Sequence, residues 1–441
     1  MNTHLDPTGP AAKPWLSDAA TARETEIVAA LDFGDLGAID DRIFELIDHN
    51  RRIHDRECIN LNPASNVMNP RAERVLSCGL TTRASLGHPG EKYEMGLEAI
   101  EEIEVIAAEL AREVFGARHV ELRVPSGAIA NLYAFMATCE PGDAILVPSA
   151  DIGGHVTHRH EGAAGLYRLD IHEYPSDPGT FSADLDALAE LAERVRPKLI
   201  TVGTSLNLAA HPVAEIRRIA DRVGAAVLFD AAHACGMFAG RVWPNPLNEG
   251  ADLMTMSTYK SLGGPAGGIV ATNSDDLAAR VDAIAYPGLT ANFDVAVTAA
   301  LAVTLLDWRL VGADYATMMV ANAQALAREL AGRGIPVFET ASGHTTSHQL
   351  AVDATRWGGG NDAALRLRRA NLLASAIGLP GDVSAGLRFG TPELTRLGMQ
   401  PVDMAELAQL ISDGLGDDPE SVAVSTSEFR SRFDAIHYVR R

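Results

Sequence analysis

Cysteine is scarce in this chain of 441 residues. Its four cysteines, Cys58, Cys78, Cys139 and Cys235, contain no pair close enough in sequence to read as CxxC. Neither a disulfide framework nor a zinc site is expected, and a reducing, cytoplasmic setting is. Basic charge is also short. Lys and Arg number 37 against 58 Asp and Glu, a formal net charge of -21. A surface this negative repels phosphate backbones and anionic lipid, so neither nucleic acid nor a membrane is an expected partner. The polar start, residues 1–14, has no basic cluster followed by an apolar run and does not read as a secretory signal. No segment reaches the apolar length expected of a membrane span. No internal repeat recurs at a fixed period.

Apolar residues make up 47% of the chain, ample material for a core. The length suits a large α/β domain with a smaller partner. Residues 1–18 read as an arm, followed by helices over 20–31 and 37–50. The segment 60–96 is punctuated by Pro and Gly, and so long an irregular stretch is usually functional. Leu97, Ile100, Ile103, Ala107, Leu110 and Val114 recur at helical spacing and mark one buried face. Short apolar runs follow at 120–124, 144–147, 198–202, 225–229, 253–256 and 268–271. Between them lie helical patterns at 129–138, 184–194 and 213–223. This alternation predicts βαβ units and a mostly parallel sheet. Beyond residue 300 the pattern changes to long helices, 293–310 and 315–333, then strands and helices at 363–374, 404–415 and 427–439. The expected division is an arm with helices over 1–60, a large domain over 61–300 and a small α+β domain over 301–441.

The most informative stretch is the apolar run into Ser257-Thr258-Tyr259-Lys260, followed by a glycine-rich turn. A lysine held by such a turn can be placed and partly desolvated. Desolvation lowers an amine's pKa, and the uncharged amine is the form that attacks an aldehyde. A surface lysine in a hairpin is the alternative. About 30 residues earlier, an apolar run ends in Asp230, the spacing at which enzymes using pyridoxal phosphate (PLP) keep a carboxylate for the pyridinium nitrogen. A helix N-cap would also explain that Asp. Pro125-Ser126-Gly127-Ala128 lies between a strand and a helix, where bare N–H groups can take a phosphate. His155, after Gly153-Gly154, can lie flat on a pyridine ring or serve only in a loop.

With these residues in place, the chain resembles the serine hydroxymethyltransferase family, PLP enzymes of fold type I. The likeness covers about residues 60–440. It includes Glu140-Pro-Gly-Asp143, Gly153-Gly-His-Val-Thr-His158, Asp230-Ala-Ala-His233, Pro244-Asn-Pro246, Lys260 with Gly263-Gly-Pro265 and Gly267-Gly268, and Gly386-Leu-Arg-Phe-Gly-Thr-Pro392. The resemblance implies Lys260 as the Schiff-base lysine, Asp230 as pyridinium partner and His155 as the ring-stacking histidine. It implies Ser205 and His233 near the phenolic oxygen, and Ser126, Gly127 and Ala128 in the phosphate turn. Arg388 would bind the amino-acid carboxylate. A homodimer with sites built from both subunits, or a tetramer, is also implied.

The departures gather at the substrate end. Where the family reads Tyr-Ala-Glu-Gly-Tyr-Pro-Gly, this chain has Ala84-Ser-Leu-Gly-His-Pro-Gly90. The family's folate-contacting glutamate is thus Leu86, and a tyrosine is Ala84. Tyr259 stands for a histidine, Ala266 for an arginine and Glu94 for a substrate-contacting tyrosine. The folate loop is shortened to Ala376-Ile-Gly-Leu-Pro-Gly-Asp-Val383. The expectation is retro-aldol chemistry on a β-hydroxy-α-amino acid, independent of tetrahydrofolate, releasing an aldehyde. The favoured substrate is α-methylserine, giving alanine and formaldehyde, as in the α-methylserine aldolase or α-methylserine hydroxymethyltransferase members. The alternatives are a threonine-type aldolase or transaldolase, a folate-dependent hydroxymethyltransferase, and a catalytically silent protein that only binds. Glu94 is the first candidate for the general base, then His155, His233 or an ordered water; Glu94 could equally be a surface carboxylate.

Overall fold

The computed structural model describes residues 13–440, so most of the arm expected over 1–18 lies outside the described residues. The chain divides into two compact units, Met1–Cys58 and Ile59–Arg441. In the first, Ser17 caps the helix Asp18–Ala29 by accepting from the Ala20 N–H. Asp35 caps Leu36–Arg51 through the Ala38 N–H. Both helices start and stop within two residues of the sequence reading.

The second unit is built on a seven-stranded sheet. Its spatial order is His119–Glu121, Gly268–Thr272, Leu253–Ser257, Ala226–Asp230, Leu199–Val202, Ala144–Pro148 and Asp170–Tyr174. Only Gly268–Thr272 runs antiparallel to its neighbours; the other pairings are parallel. The four central parallel strands are buried along almost their whole length, which is why they read as continuous apolar runs. Asp170–Tyr174 escaped the sequence reading. It is an edge strand, and its Asp, His and Glu hide the apolar alternation.

The helix Glu98–Phe115 buries Ile100, Ala107, Leu110 and Val114 as its periodicity predicts. It stops at Gly116, whose φ of 57° is left-handed. A second sheet of three antiparallel strands has the order Gln349–Asp353, Asp382–Gly390, Ser375–Leu379. Beside it, Ile59–Asn60 pairs in parallel with Leu372–Leu373.

Three expectations are corrected. The helices expected at 293–310 and 315–333 are one helix, Val295–Gly332, of 38 residues. Gly312 sits inside it as a contact point rather than a break. A Cβ on neighbouring Gly240 would stand 2.8 Å from the Gly312 carbonyl oxygen and 2.2 Å from the Ala316 Cβ. This helix also contains a window apolar enough to cross a membrane, against the expectation that no segment reaches that length. Within the fold 67% of that window is buried, and Leu301, Leu305, Trp308, Tyr315 and Met319 join the main apolar core. Finally, the helix expected over 427–439 is Ala423–Arg430. Tertiary contacts draw out the residues beyond it. His437 N–H donates to the Arg396 carbonyl at 2.7 Å, Arg440 N–H donates to Asp307 at 2.7 Å, and Tyr438 stacks on Tyr315.

Candidate active site

Four parallel strands end at the same edge of the sheet, and each delivers part of one cluster. Ala226–Asp230 ends in Asp230, and Leu253–Ser257 leads to Lys260. Ala144–Pro148 leads to the loop of His155, and Leu199–Val202 to Ser205. The carboxyl ends of parallel strands are where α/β sheets place ligands. The two loops are tied together, because Ser205 N–H donates to the Gly153 carbonyl at 2.8 Å.

Lys260 is buried, 6% exposed. The chain turns directly after it, with Gly263 N–H donating to the Lys260 carbonyl at 2.9 Å and Gly264 N–H to the Thr258 carbonyl at 2.8 Å. Lys260 Nζ lies 3.1 Å from His233 Nε2 and 6.0 Å from the Tyr259 ring centre. Burial first, and the Arg388 charge second, lower the ammonium pKa to about 8 against the pull of Asp230. The same burial, with the charges of Lys260 and Arg388, holds His233 well below its usual value, so it is neutral and can accept from the ammonium.

Asp230 is buried, and burial by itself would push its carboxyl up. The outcome is the reverse. The hydrogen bond to His158 Nε2 at 2.9 Å and the Ala232 N–H at 2.9 Å hold it well below the usual carboxylate range. Asn131 also donates to Asp230, at 2.8 Å, and its carbonyl accepts from Thr255 Oγ1 at 2.6 Å. His155 is pushed down to about 4, chiefly by burial. Its Nδ1 accepts from the Thr157 N–H at 3.2 Å, which leaves the proton of the neutral ring on Nε2.

The turn at Ser126 comes up against this cluster because two glycines permit it. A Cβ on Gly127 would stand 2.1 Å from Ser257 Oγ, and one on Gly268 would stand 2.6 Å from the Ser126 carbonyl oxygen. Ser126 caps the helix Gly127–Thr138 through the Ile129 N–H at 3.2 Å, and Ala128 in its first turn is exposed. Arg388 is 6% exposed and its pKa falls to about 10 through burial. Its Nη1 donates to the Ser205 carbonyl, and its Nε and Nη2 donate to Ser375 Oγ at 3.3 and 3.0 Å. Among the described residues no carboxylate pairs with it.

The residues present fit PLP. A desolvated amine, a carboxylate held anionic by buried donors, a neutral imidazole and a helix start cleared of side-chain bulk are what an aldehyde, a protonated pyridine, a ring face and a phosphate require. The profile of the serine hydroxymethyltransferase family matches residues 36–411. The chain belongs to the serine hydroxymethyltransferase family. It is therefore an enzyme of PLP fold type I, with PLP as the family's cofactor. An α-methylserine aldolase of Variovorax paradoxus is 56% identical over 434 residues, covering 97% of this chain and 98% of that protein. One from a Ralstonia species is 51% identical, covering 97% and 99%. A serine hydroxymethyltransferase of Pyrobaculum islandicum is 38% identical, covering 90% and 94%.

Of the family positions read from the sequence, Lys260, Asp230, His155, His233, Ser205 and Arg388 share one network of contacts and charges. Glu94 stands apart from it. It accepts from the Leu86 N–H at 3.5 Å, within its own loop. That loop is fastened by Lys92, whose ammonium donates to the Gly87 carbonyl at 2.9 Å and to Glu104 at 2.6 Å. Ser85 also donates to Glu104. Ala266, at the lost arginine, is exposed. The shortened segment is a hairpin turning near Pro380-Gly381, and its Ile377 and Leu379 pack with Ile152, Leu206 and Ala351. The sequence reading missed Asn131, His158 and Ser375. His158 had a signal, a second histidine one turn after His155 in the same loop. Asn131 and Ser375 had none, since nothing in sequence says that they face Asp230 and Arg388.

Proposed function

We propose that this chain is a PLP-dependent aldolase that cleaves α-methylserine to alanine and formaldehyde without tetrahydrofolate. The observation that carries this reading is identity of 51–56% along nearly the whole chain to α-methylserine aldolases, against 38% to a serine hydroxymethyltransferase. Two features of the chain support folate independence: Leu86 in place of the family's folate-contacting glutamate, and the apolar hairpin that takes the place of the longer folate loop.

Lys260 would hold the cofactor, with the Ser126–Ala128 turn on its phosphate and Ser205 and His233 beside its phenolic oxygen. Bound PLP supplies an electron sink that lets a bond at Cα break. Asp230 would keep a proton on the ring nitrogen, because its own carboxyl resists protonation. His155, neutral, would pack against the ring without adding charge. Arg388 would grip the substrate carboxylate and so fix the orientation of the bonds at Cα. His233, with Nε2 3.1 Å from Lys260 Nζ, is a candidate after Glu94 for taking the proton of a β-hydroxyl, although its burial weakens it as a base. Glu94, bound to its own loop, would serve a site shared with a second subunit in a homodimer. The proposed division is a large domain over 61–300 and a small one over 301–441; the main apolar core crosses that boundary, because Leu301, Leu305, Trp308, Tyr315 and Met319 pack into it, while a second core holds Leu350, Leu387 and Phe389.

The test is formaldehyde release from α-methylserine, L-serine and threonine, with and without tetrahydrofolate. α-Methylserine should turn over fastest and equally in both conditions. Strict folate dependence would return the chain to hydroxymethyl transfer, and faster release of acetaldehyde from threonine would make it a threonine-type aldolase.

A further inference from the structure

An arginine presents five N–H donors, and where each points decides what it can grip. Arg388 spends three of them inside the protein: Nε and Nη2 on Ser375 Oγ, and Nη1 on the Ser205 carbonyl. One N–H remains on each terminal nitrogen, two donors for the two oxygens of one carboxylate. The question is what holds Ser375 so that its lone pairs, and not its proton, face the guanidinium. The answer lies two residues beyond the strand Ile59–Asn60. Ser375 Oγ donates to Asn62 Oδ1 at 3.2 Å. The identity of that oxygen is fixed independently, because the same atom accepts from the Ala64 N–H at 3.1 Å. The Ser375 proton is thereby committed to Asn62, and its remaining capacity is acceptor only.

The backbone sets this arrangement. Ser375 and Arg388 are direct cross-strand partners in the small sheet. The parallel pairing of Ile59–Asn60 with Leu372–Leu373, extended by Leu61 N–H to the Leu373 carbonyl at 2.8 Å, carries Asn62 to Ser375. Gln349, on the opposite strand, donates to the same Ser205 carbonyl at 3.0 Å, so the acceptor at the other end of the guanidinium is also fixed.

We infer that Asn62 and Ser375 form a relay that orients Arg388 toward substrates bearing a carboxylate, and so are positioning residues for specificity. This rests on Arg388 being the carboxylate site, and the experiment separates the two claims. Binding of alanine, the proposed product, is measured by calorimetry on the PLP-loaded enzyme, alongside ethylamine, which lacks the carboxylate, and alongside KM and kcat for α-methylserine. Loss of hydrogen bonds to a charged group is expected to weaken alanine binding and raise KM about tenfold in Ser375→Ala. The kcat should stay within about threefold and ethylamine binding should not change. Ser375→Thr, which keeps the hydroxyl, should bind alanine as the parent does. Asn62→Ala, which frees the Ser375 proton, should weaken alanine binding by a smaller factor. The inference is overturned if Ser375→Ala leaves alanine affinity intact while Arg388→Gln abolishes it, or if ethylamine binding falls in parallel. Should Arg388→Gln itself leave alanine affinity unchanged, the carboxylate reading of Arg388 fails instead.

Discussion

Gly127→Ala is the sharpest test of the turn proposed to hold the cofactor phosphate. The added methyl would stand 2.1 Å from Ser257 Oγ and 3.3 Å from Ser257 Cβ. Contact between such atoms begins near ~3.5 Å, so something must move by more than an ångström. Ser257 is 2% exposed and ends the strand that leads to Lys260. Overpacking of a buried site costs about 1–3 kcal/mol. Most of that strain should fall on the turn and the lysine loop, because the strands behind them are buried and paired. PLP affinity is then expected to drop by about tenfold, taking ~1.4 kcal/mol per decade. The assay is cofactor dissociation from the holoenzyme, followed by absorbance after dilution into a trap for free PLP. The double variant Gly127→Ala/Ser257→Ala removes the 2.1 Å contact and keeps the milder 3.3 Å one, so it should recover most of the affinity. A single variant that retains PLP like the parent, or a double variant no better than the single, would refute the reasoning.

Two further outcomes follow from charge. The Lys260 amine has its pKa lowered to about 8, and only its neutral form reacts with an aldehyde. The rate of PLP uptake by the apoenzyme should therefore rise with pH and level off above about 8; a rate flat from pH 6.5 to 9.5 would contradict the desolvation of that amine. His158→Ala removes the largest influence holding the Asp230 carboxyl down and leaves burial to push it up. A carboxyl whose folded pKa is depressed stabilises the protein above its unfolded pKa and loses that contribution as pH falls through the folded one. The variant should therefore lose cofactor and stability at a higher pH on acid titration than the parent does, and an unshifted acid limb would show that His158 does not govern Asp230.

What was legible in the sequence was whatever a single strand or turn declares by itself. The buried parallel strands announce themselves as apolar runs, and Asp230, His155 and Lys260 stand just past their ends, so the site's first layer could be read in order. The layer behind it could not. Asn131 and His158 meet Asp230 only because separate strands converge, and Ser375 meets Arg388 only through a cross-strand register. The edge strand Asp170–Tyr174 was disguised by the polar residues that protect an edge. The helices expected at 293–310 and 315–333 are continuous through Gly312, where the chain packs closely against Gly240.

The unbroken helix Val295–Gly332 has a mechanical consequence. At ~1.5 Å per residue it is a rod about 57 Å long. Leu301 to Met319 belong to the core beneath the sheet that carries Lys260, and Ala323 to Leu330 belong to the core beneath the strands that carry Arg388. One stiff beam thus runs through both foundations, with no joint between Met319 and Ala323. The proposed grip on the substrate's acid group and the proposed anchor of the cofactor are kept in fixed alignment by a shared girder, and any breathing of the cleft has to flex somewhere other than along that spine.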